Sequence, residues 1–242
     1  MSSKKRKNGI CVYCGRQGRV TDHHIPPKNL FSEDDRTNLI KVPSCESCNN
    51  QASKDDEYFR LVLTLREDVR NHPDVKAVLP IAMRSLRRPE ASIFRANFIK
   101  GLKRIHPTTP SGLILPVRGA YTLDLMRIER VLQRLTKGLF FHLKGYRLPN
   151  DYSVSIFAPF TMRNLAWETV QWFAENVLEP LGKQTGIVVG RKVFLYKFLF
   201  TDSDPSSSIW LYLFYERVVF FALTGQSGSS GEKVGSIGQH TA

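Results

Sequence analysis

The chain lacks any apolar run of about 18 residues, the length that a membrane-spanning helix requires. It is also poor in cysteine: the chain has only four, and all of them lie before residue 49. The basic N-terminus runs directly into the first cysteines, where a signal peptide would need an apolar segment. These absences argue against a membrane protein and against an exported, disulfide-rich protein. We therefore expect a cytoplasmic location, in which thiols stay free or bind metal.

Acidic residues are scarce as well. The 242 residues include 35 Lys and Arg against 22 Asp and Glu, which gives a formal net charge of +13. Residues 80–150 hold 14 of the basic residues and only three acids. An excess of this size favours a polyanionic partner, and without a membrane segment that partner is expected to be nucleic acid.

The four cysteines form two Cys-x-x-Cys pairs, and 30 residues separate the pairs. Four thiolates at this spacing predict a tetrahedral structural zinc site, with a substantial insert between the pairs. Two redox-active dithiols are the alternative interpretation. A zinc deaminase site is excluded because the chain lacks the His-x-Glu and Pro-Cys-x-x-Cys motifs. The predicted zinc ligands are Cys11, Cys14, Cys45 and Cys48.

The insert carries the residues suited to chemistry. In order, it contains the run from Asp22 to Pro27, which reads Asp-His-His-Ile-Pro-Pro, then Asn38 followed by Leu39. Asn49 comes directly after the last cysteine. This ordered set resembles the HNH endonuclease family, whose ββα-metal finger is often braced by two Cys-x-x-Cys pairs. The resemblance covers roughly residues 8–60.

The resemblance implies a role for each residue. His24 takes the position of the general base and His23 that of the first metal ligand, with Pro27 three residues after the base. Asn38 takes the position that holds the finger loop and orients the base, and Asn49 that of the last metal ligand. In the alternative register, Asp22 faces the metal and His23 is the base. With His23 and Asn49 as the only ligands the site is neutral, which favours Zn²⁺, Ni²⁺ or Mn²⁺ over Mg²⁺.

A long amphipathic helix is predicted over residues 123–143, because apolar residues recur there at helical spacing. His142 falls on the apolar side and is expected to pack in the core. The opposite side carries a stripe of basic residues, which is either a solvated face or a surface that contacts the DNA backbone. The residues of this basic stripe are Arg127, Arg130, Arg134 and Lys137.

The fold class expected from these patterns is α+β. We expect a small zinc-braced ββα-metal finger at the N-terminus, a helical segment, and an α+β C-terminal domain with a largely antiparallel sheet. The predicted division is a basic flexible arm at 1–10, an HNH zinc finger domain at 11–69, an α+β domain at 73–224 and a disordered Gly/Ser-rich tail at 225–242. Within it, we expect an extended, non-helical loop at 25–31, a strand ended by Pro43, helices at 53–69 and 162–178, and a loop at 107–121.

The leading functional hypothesis is a metal-dependent HNH endonuclease that hydrolyses phosphodiester bonds in double-stranded DNA. It requires a structural zinc ion and one catalytic divalent ion, which is Mg²⁺, Mn²⁺, Ni²⁺ or Zn²⁺. A non-catalytic zinc-finger protein that binds nucleic acid is the first alternative, and an interaction protein dominated by its C-terminal domain is the second. The formation of a homodimer is left open.

Overall fold

The computed structural model describes residues 7–36, 38–109, 111–159 and 166–228. The described strands are β1 Lys7–Ile10, β2 Gln17–Ile25, β3 Ile40–Cys45, β4 Leu102–Ile105, β5 Arg118–Tyr121, β6 Tyr152–Phe157, β7 Ile187–Val189, β8 Phe194–Phe200, β9 Ser208–Phe214 and β10 Val218–Gln226. The described α-helices are α1 Glu46–Thr64, α2 Pro73–Leu86, α3 Ser92–Lys100, α4 Leu125–Lys144, α5 Trp167–Phe173 and α6 Glu179–Gly182, with a π-helical turn, Ala174–Leu178, joining the last two.

The N-terminal unit is a three-stranded antiparallel sheet with a helix against it. Strand β2 lies in the middle, paired with β1 on one side and with β3 on the other. In this register His23 lies opposite Val42 and His24 opposite Lys41. Helix α1 follows β3 directly, with Cys45 at its N-cap, and packs against the sheet. The order of two strands and a helix is the one expected for the finger.

The C-terminal unit is a five-stranded antiparallel sheet in the order β6-β10-β9-β8-β7. Alternation along β9 separates its two faces: Trp210, Tyr212 and Phe214 are fully buried on the side of α1 and α4. The intervening residues, Ile209 and Leu211, pack on the other side in a smaller cluster with α5, α6 and the π turn. The predicted α+β class with an antiparallel sheet is confirmed.

One hydrophobic cluster includes residues of both units. Ile25 and Phe31 of the N-terminal unit belong to it together with the inner face of the C-terminal sheet. Ile25 lies so close to α4 that a Cβ added to Gly138 would be 2.7 Å from its Cδ1 atom. The Tyr215 hydroxyl donates a hydrogen bond to the Leu30 carbonyl at 2.8 Å. The core therefore crosses the boundary that the sequence suggested between residues 69 and 73.

Several local expectations were wrong. Helix α1 begins at Glu46 rather than Ser53, since the cysteine turn itself starts it. Pro43 lies within β3, which a proline tolerates because β3 is an edge strand of its sheet. Residues 7–10 of the expected arm form β1, and the expected loop at 107–121 contributes β5 to a hairpin with β4.

Three further expectations need comment. The loop expected to be extended at 25–31 contains a short 3₁₀ turn at Lys28–Leu30, and a second such turn, Glu33–Asp35, follows it. Residues 162–165 of the expected helix at 162–178, and residues 229–242 of the expected tail, lie outside the described residues. Residues 225 and 226 end β10 instead of starting a tail.

The contact between Ile25 and Gly138 generates a test of the shared core. Gly138→Val should destabilise the protein by about 1–3 kcal/mol, because the added methyl groups overpack a buried contact. Thermal unfolding of the purified protein measures the loss. Gly182→Val is the matched control, since an added Cβ at this helical glycine meets nothing within 4 Å. Equal melting temperatures for the two variants would contradict the close packing of α4 on β2.

Candidate functional site

The four cysteine sulfurs converge on one point. Cys11 and Cys14 lie in the turn between β1 and β2, Cys45 ends β3, and Cys48 is in the first turn of α1. Their Sγ atoms all lie within 4.8 Å of one another. Cys14 Sγ and Cys45 Sγ are 3.7 Å apart. Sulfurs bound tetrahedrally to zinc at about 2.3 Å lie about 3.8 Å apart, so the residues fit this ion.

The electrostatics of the cluster also fit a bound cation. Burial opposes ionisation of Cys11, but the backbone N–H groups of Cys14, Cys45 and Tyr13 outweigh it and lower the pKa of its thiol to about 6. The pKa of Cys48 is raised by burial and by hydrogen bonds with Cys45 and Cys14. The four sulfurs therefore cannot all be thiolates at neutral pH unless a cation balances their charge.

Strand β2 presents its two histidines to opposite sides, because side chains alternate along a strand. His23 points toward α1 and is only 7% exposed. His24 is half-buried and points the other way. Their neighbours follow the same alternation, so Ile25 is buried and Asp22 is exposed.

The His23 ring is held at one nitrogen and open at the other. Its Nδ1 atom lies 2.7 Å from the Tyr13 hydroxyl, and the two rings meet edge to face. Among the described residues its Nε2 atom has no hydrogen-bond partner, and it lies 3.8 Å from an Asp56 carboxylate oxygen. A buried ring nitrogen without a partner is costly unless something else occupies its lone pair.

His24 lies where two clefts meet. The first, which we term the helix cleft, has a volume of about 240 Å³ and lies between β2 and α1; its walls include Asp22, His23, His24, Asn49, Ser53 and Asp56. The second, which we term the outer groove, has a volume of about 790 Å³; its walls include His24, Lys28, Arg36, Asn38, Lys41 and His142. Within the described chain, the His24 side chain makes no hydrogen bond.

The surroundings of His24 keep it uncharged. Burial lowers the pKa of its imidazole to about 4, and the positive charges of Lys28 and Lys41 act in the same direction. The nearby Asp22 carboxylate opposes them only in part. At neutral pH the ring is therefore neutral and has a nitrogen lone pair able to accept a proton.

The two asparagines occupy different places. Asn49 lines the helix cleft, and its side-chain N–H₂ donates a hydrogen bond to the Thr21 hydroxyl at 3.2 Å. Asn38 lines the outer groove with a backbone φ of 61°, a left-handed conformation that asparagine tolerates better than most residues. Among the described residues its exposed side chain makes no hydrogen bond, so its role in orienting the base stays a prediction.

Comparison with protein families agrees with this geometry. Residues 11–55 match the family model described as HNH endonuclease. The chain carries an HNH domain. Neither the curated proteins nor the solved structures include a match to the chain. The HNH family is a nuclease family, and the matched segment contains the cysteine cluster and both histidines of β2. In the described part of the chain, no helix has both the length and the apolar character to cross a membrane.

The basic stripe of α4 faces the HNH domain. Arg127 and Arg130 donate hydrogen bonds to the Asp55 carboxylate of α1 at 2.9–3.1 Å, and Arg134 approaches it at 3.5 Å. Burial alone would raise the pKa of Asp55, but the hydrogen bonds from Arg130 and Arg127 outweigh it and lower that pKa. The DNA contact predicted for the stripe, including Lys137, stays a prediction, and three of its four members already neutralise acids within the protein.

Two residues of the site were misjudged from sequence. A helix beginning at Ser53 would place Asp56 in its first turn, where it would only complement the helix dipole. With α1 beginning at Glu46, Asp56 lies two turns after Asn49 and faces the helix cleft. His142 was expected in the core, but it is exposed and lines the outer groove, because at this turn of α4 Phe141 and Leu143, on either side of it, are the residues that face the core. Tyr13, inside the first Cys-x-x-Cys pair, was not assigned a role.

The cysteine cluster generates a test of metal content. Cys14→Ser should lower the zinc content from about one ion per chain toward zero and destabilise the HNH domain, because structural zinc contributes folding free energy. Elemental analysis and thermal unfolding measure the two effects. Ser47→Ala, a change between Cys45 and Cys48, is the control and should retain zinc. A Cys14→Ser protein with unchanged zinc content and melting temperature would contradict the four-sulfur site.

Proposed function

We propose that this chain is a metal-dependent endonuclease that hydrolyses phosphodiester bonds in double-stranded DNA. The observation that carries the proposal is the position of His24, which has no hydrogen-bond partner among the described residues and borders both the helix cleft and the outer groove. A general base must reach a water molecule beside the scissile phosphate, and a side chain at the junction of two clefts satisfies that requirement.

His24 would accept the proton of the attacking water. An imidazole is suited to this role because it combines a basic nitrogen with no net charge to repel the reacting hydroxide. The half-buried ring can reach either cleft, and β2 holds its backbone in place through pairing with Lys41 on β3. Asn38, beside the same groove, would limit how far the finger loop can move.

The helix cleft would hold the catalytic divalent ion. His23 fits this role because no described residue forms a hydrogen bond with its buried Nε2 atom, and Asn49 fits because it lines the same cleft. Asp22, exposed at the edge of the cleft, is the alternative first ligand. When bound, such an ion supplies positive charge that stabilises the leaving oxygen. These ligand types admit Mn²⁺, Ni²⁺ or Zn²⁺ more readily than Mg²⁺.

The outer groove would take the DNA backbone on the side of the attacking water. Three exposed cations, Lys28, Arg36 and Lys41, line it within the HNH domain, and His142 of α4 completes the far wall. Their charges suit contact with successive phosphates, which accounts for affinity without sequence specificity. A homodimer and a cytoplasmic location stay predictions.

Cleavage of supercoiled plasmid tests the catalytic proposal. The wild-type protein should nick or linearise the plasmid in the presence of at least one of Mg²⁺, Mn²⁺, Ni²⁺ and Zn²⁺. His24→Ala should lower the rate by about 10²–10⁴-fold while DNA affinity is kept, since it removes only the proton acceptor. His106→Ala, which changes an exposed histidine outside both clefts, should cleave like the wild type.

Two outcomes of that experiment would contradict the proposal. Equal cleavage by wild type and His24→Ala would exclude His24 as the base. No cleavage with any of the four ions, together with tight and salt-dependent DNA binding, would favour the alternative of a non-catalytic nucleic-acid-binding protein.

The salt dependence of DNA binding tests the groove. Each phosphate contact contributes a slope of about −0.9 to the logarithm of affinity against the logarithm of salt concentration. Lys41→Gln should therefore make the measured slope shallower by about 0.9 if Lys41 contacts one phosphate. Lys183→Gln, at an exposed lysine paired with Glu179 on α6, is the control and should leave the slope unchanged. A wild-type slope near zero would remove nucleic acid as the partner.

A further inference from the structure

The ligands proposed so far leave the divalent ion without a negative charge. His23 and Asn49 are both neutral, and an ion with only neutral ligands in a partly buried cleft retains its full charge. Divalent ions at phosphodiester-cleaving sites are usually held by at least one carboxylate. The described cleft therefore needs an acid that faces the same side of β2 as His23.

Asp56 is placed to be that acid. It follows Asn49 by seven residues on α1, so two helical turns bring the two side chains to the same face. Its Oδ2 atom lies 3.8 Å from His23 Nε2, and its side chain is 13% exposed. The walls of the helix cleft include Asp56 together with His23 and Asn49.

The polar atoms of both side chains are not satisfied among the described residues. His23 Nε2 is buried and has no hydrogen-bond partner there, and the Asp56 carboxylate accepts no hydrogen bond either. The Asp56 oxygen nearest to His23 is Oδ2, whereas the buried oxygen Oδ1 lies beside Arg134. The His23 side chain is only 8% exposed, so water reaches it poorly. Leaving a buried ring nitrogen unpaired costs stability, and a cation between Nε2 and Oδ2 would occupy its lone pair.

We propose that Asp56 is a carboxylate ligand of the catalytic divalent ion, together with His23 Nε2. This inference rests on the proposed function, since it concerns the same ion. Imidazole nitrogen and carboxylate oxygen bind such ions at about 2.0–2.2 Å, so two ligand atoms of one ion lie about 3–3.5 Å apart. His23 Nε2 and Asp56 Oδ2 are 3.8 Å apart. The two side chains therefore need to move by only about a few tenths of an ångström to bind the same ion.

The neighbours of both side chains support this arrangement. The Tyr13 hydroxyl at His23 Nδ1 can accept the ring N–H, which leaves the Nε2 lone pair directed at the cleft. Arg134 Nη2 lies 3.6 Å from Asp56 Oδ1 and restrains the carboxylate from the side of α4. Tyr13 and Arg134 thus act as positioning residues for the two ligands.

Asp22 does not meet the same requirements. It lines the helix cleft, but it precedes His23 directly on β2, so strand alternation places it on the opposite face of the strand from His23. It is also exposed, and it makes no ion pair among the described residues. The competing interpretation of Asp56 is that it forms only an ion pair with a protonated His23 and with Arg134, and binds no metal.

A measurement of Mn²⁺ binding separates these interpretations. Electron paramagnetic resonance reports the binding, because the signal of the free ion is lost when Mn²⁺ binds. The full chain is used with zinc retained in the cysteine site. The wild-type protein should bind one Mn²⁺ in addition to its zinc. Asp56→Asn should weaken that binding by about tenfold or more, because it removes a charged ligand at nearly constant shape.

Two variants complete the binding experiment. Glu57→Gln is the matched control, since it removes an adjacent carboxylate that lines the same cleft but has no contact with His23. It should change the affinity less than twofold. Equal affinities for Asp56→Asn and Glu57→Gln would overturn the proposal, and so would a loss of binding in Asp22→Asn alone.

A further test uses only the wild-type protein, so its result does not depend on whether the variants fold. With carbon-13 in the aspartate side chains, a small amount of Mn²⁺ should broaden the Asp56 carboxyl resonance more than that of Asp22. The reverse order would overturn the assignment. These readouts are independent of cleavage: a wild-type protein that cleaves DNA but whose Mn²⁺ affinity is insensitive to Asp56→Asn loses this assignment and keeps the proposed function.

Discussion

The convergence of four cysteine sulfurs is the constraint on which the rest of the N-terminal unit depends. It joins the turn before β2 to the first turn of α1, two segments that are 30 residues apart in the chain. Because the cluster fixes where α1 starts, it also fixes which residues of α1 face β2 one and two turns later. The contact of Asn49 with Thr21 and the approach of Asp56 to His23 follow from this start. The cluster thereby sets the register of the residues proposed to carry out the chemistry.

The second constraint is the charged contact between α1 and α4. Asp55 is buried and accepts hydrogen bonds from Arg127 and Arg130, with Arg134 close by. A buried charge network of this kind contributes little net stability, because the lost hydration of the charges offsets their attraction. In any other register of the two helices, however, the buried Asp55 carboxylate would be left unpaired, which would cost stability. We infer that it secures the position of α1 relative to α4 more than it stabilises the fold.

The sequence predicted what depends on local pattern. Two Cys-x-x-Cys pairs predicted the sulfur cluster, and helical spacing predicted α4, which is followed by Gly145 with a left-handed φ of 77°. Contacts between distant residues could not be predicted in this way. The start of α1 was misplaced because Ser53 is a better N-cap by residue type than Cys45, whereas the cysteine cluster decides the start in the folded chain.

The same reasoning explains the errors at the site. The stripe on α4 could be recognised as basic, but nothing in its spacing showed that the acids of α1 lie opposite. His142 follows the apolar period of α4, yet its side chain is exposed in the outer groove, while Phe141 and Leu143 of the same turn pack against the core. Asp56 becomes a candidate ligand only when α1 has its observed start. The candidate residues within the motifs could therefore be proposed from sequence, whereas the residues that contact them from outside the motifs required the tertiary structure.

The C-terminal unit also bears on the site, through the loop between β2 and β3. This loop carries Lys28 and Arg36, and it contains only short 3₁₀ turns, which have little stability of their own. Two contacts from the C-terminal unit hold it: the Tyr215 hydroxyl bonds to the Leu30 carbonyl, and the backbone N–H of Arg191 bonds to the buried Asp35 carboxylate. Without these contacts, the loss of conformational entropy on ordering this loop would not be offset. The C-terminal unit thus holds one wall of the groove beside His24 in place, although none of its sheet residues enters either cleft.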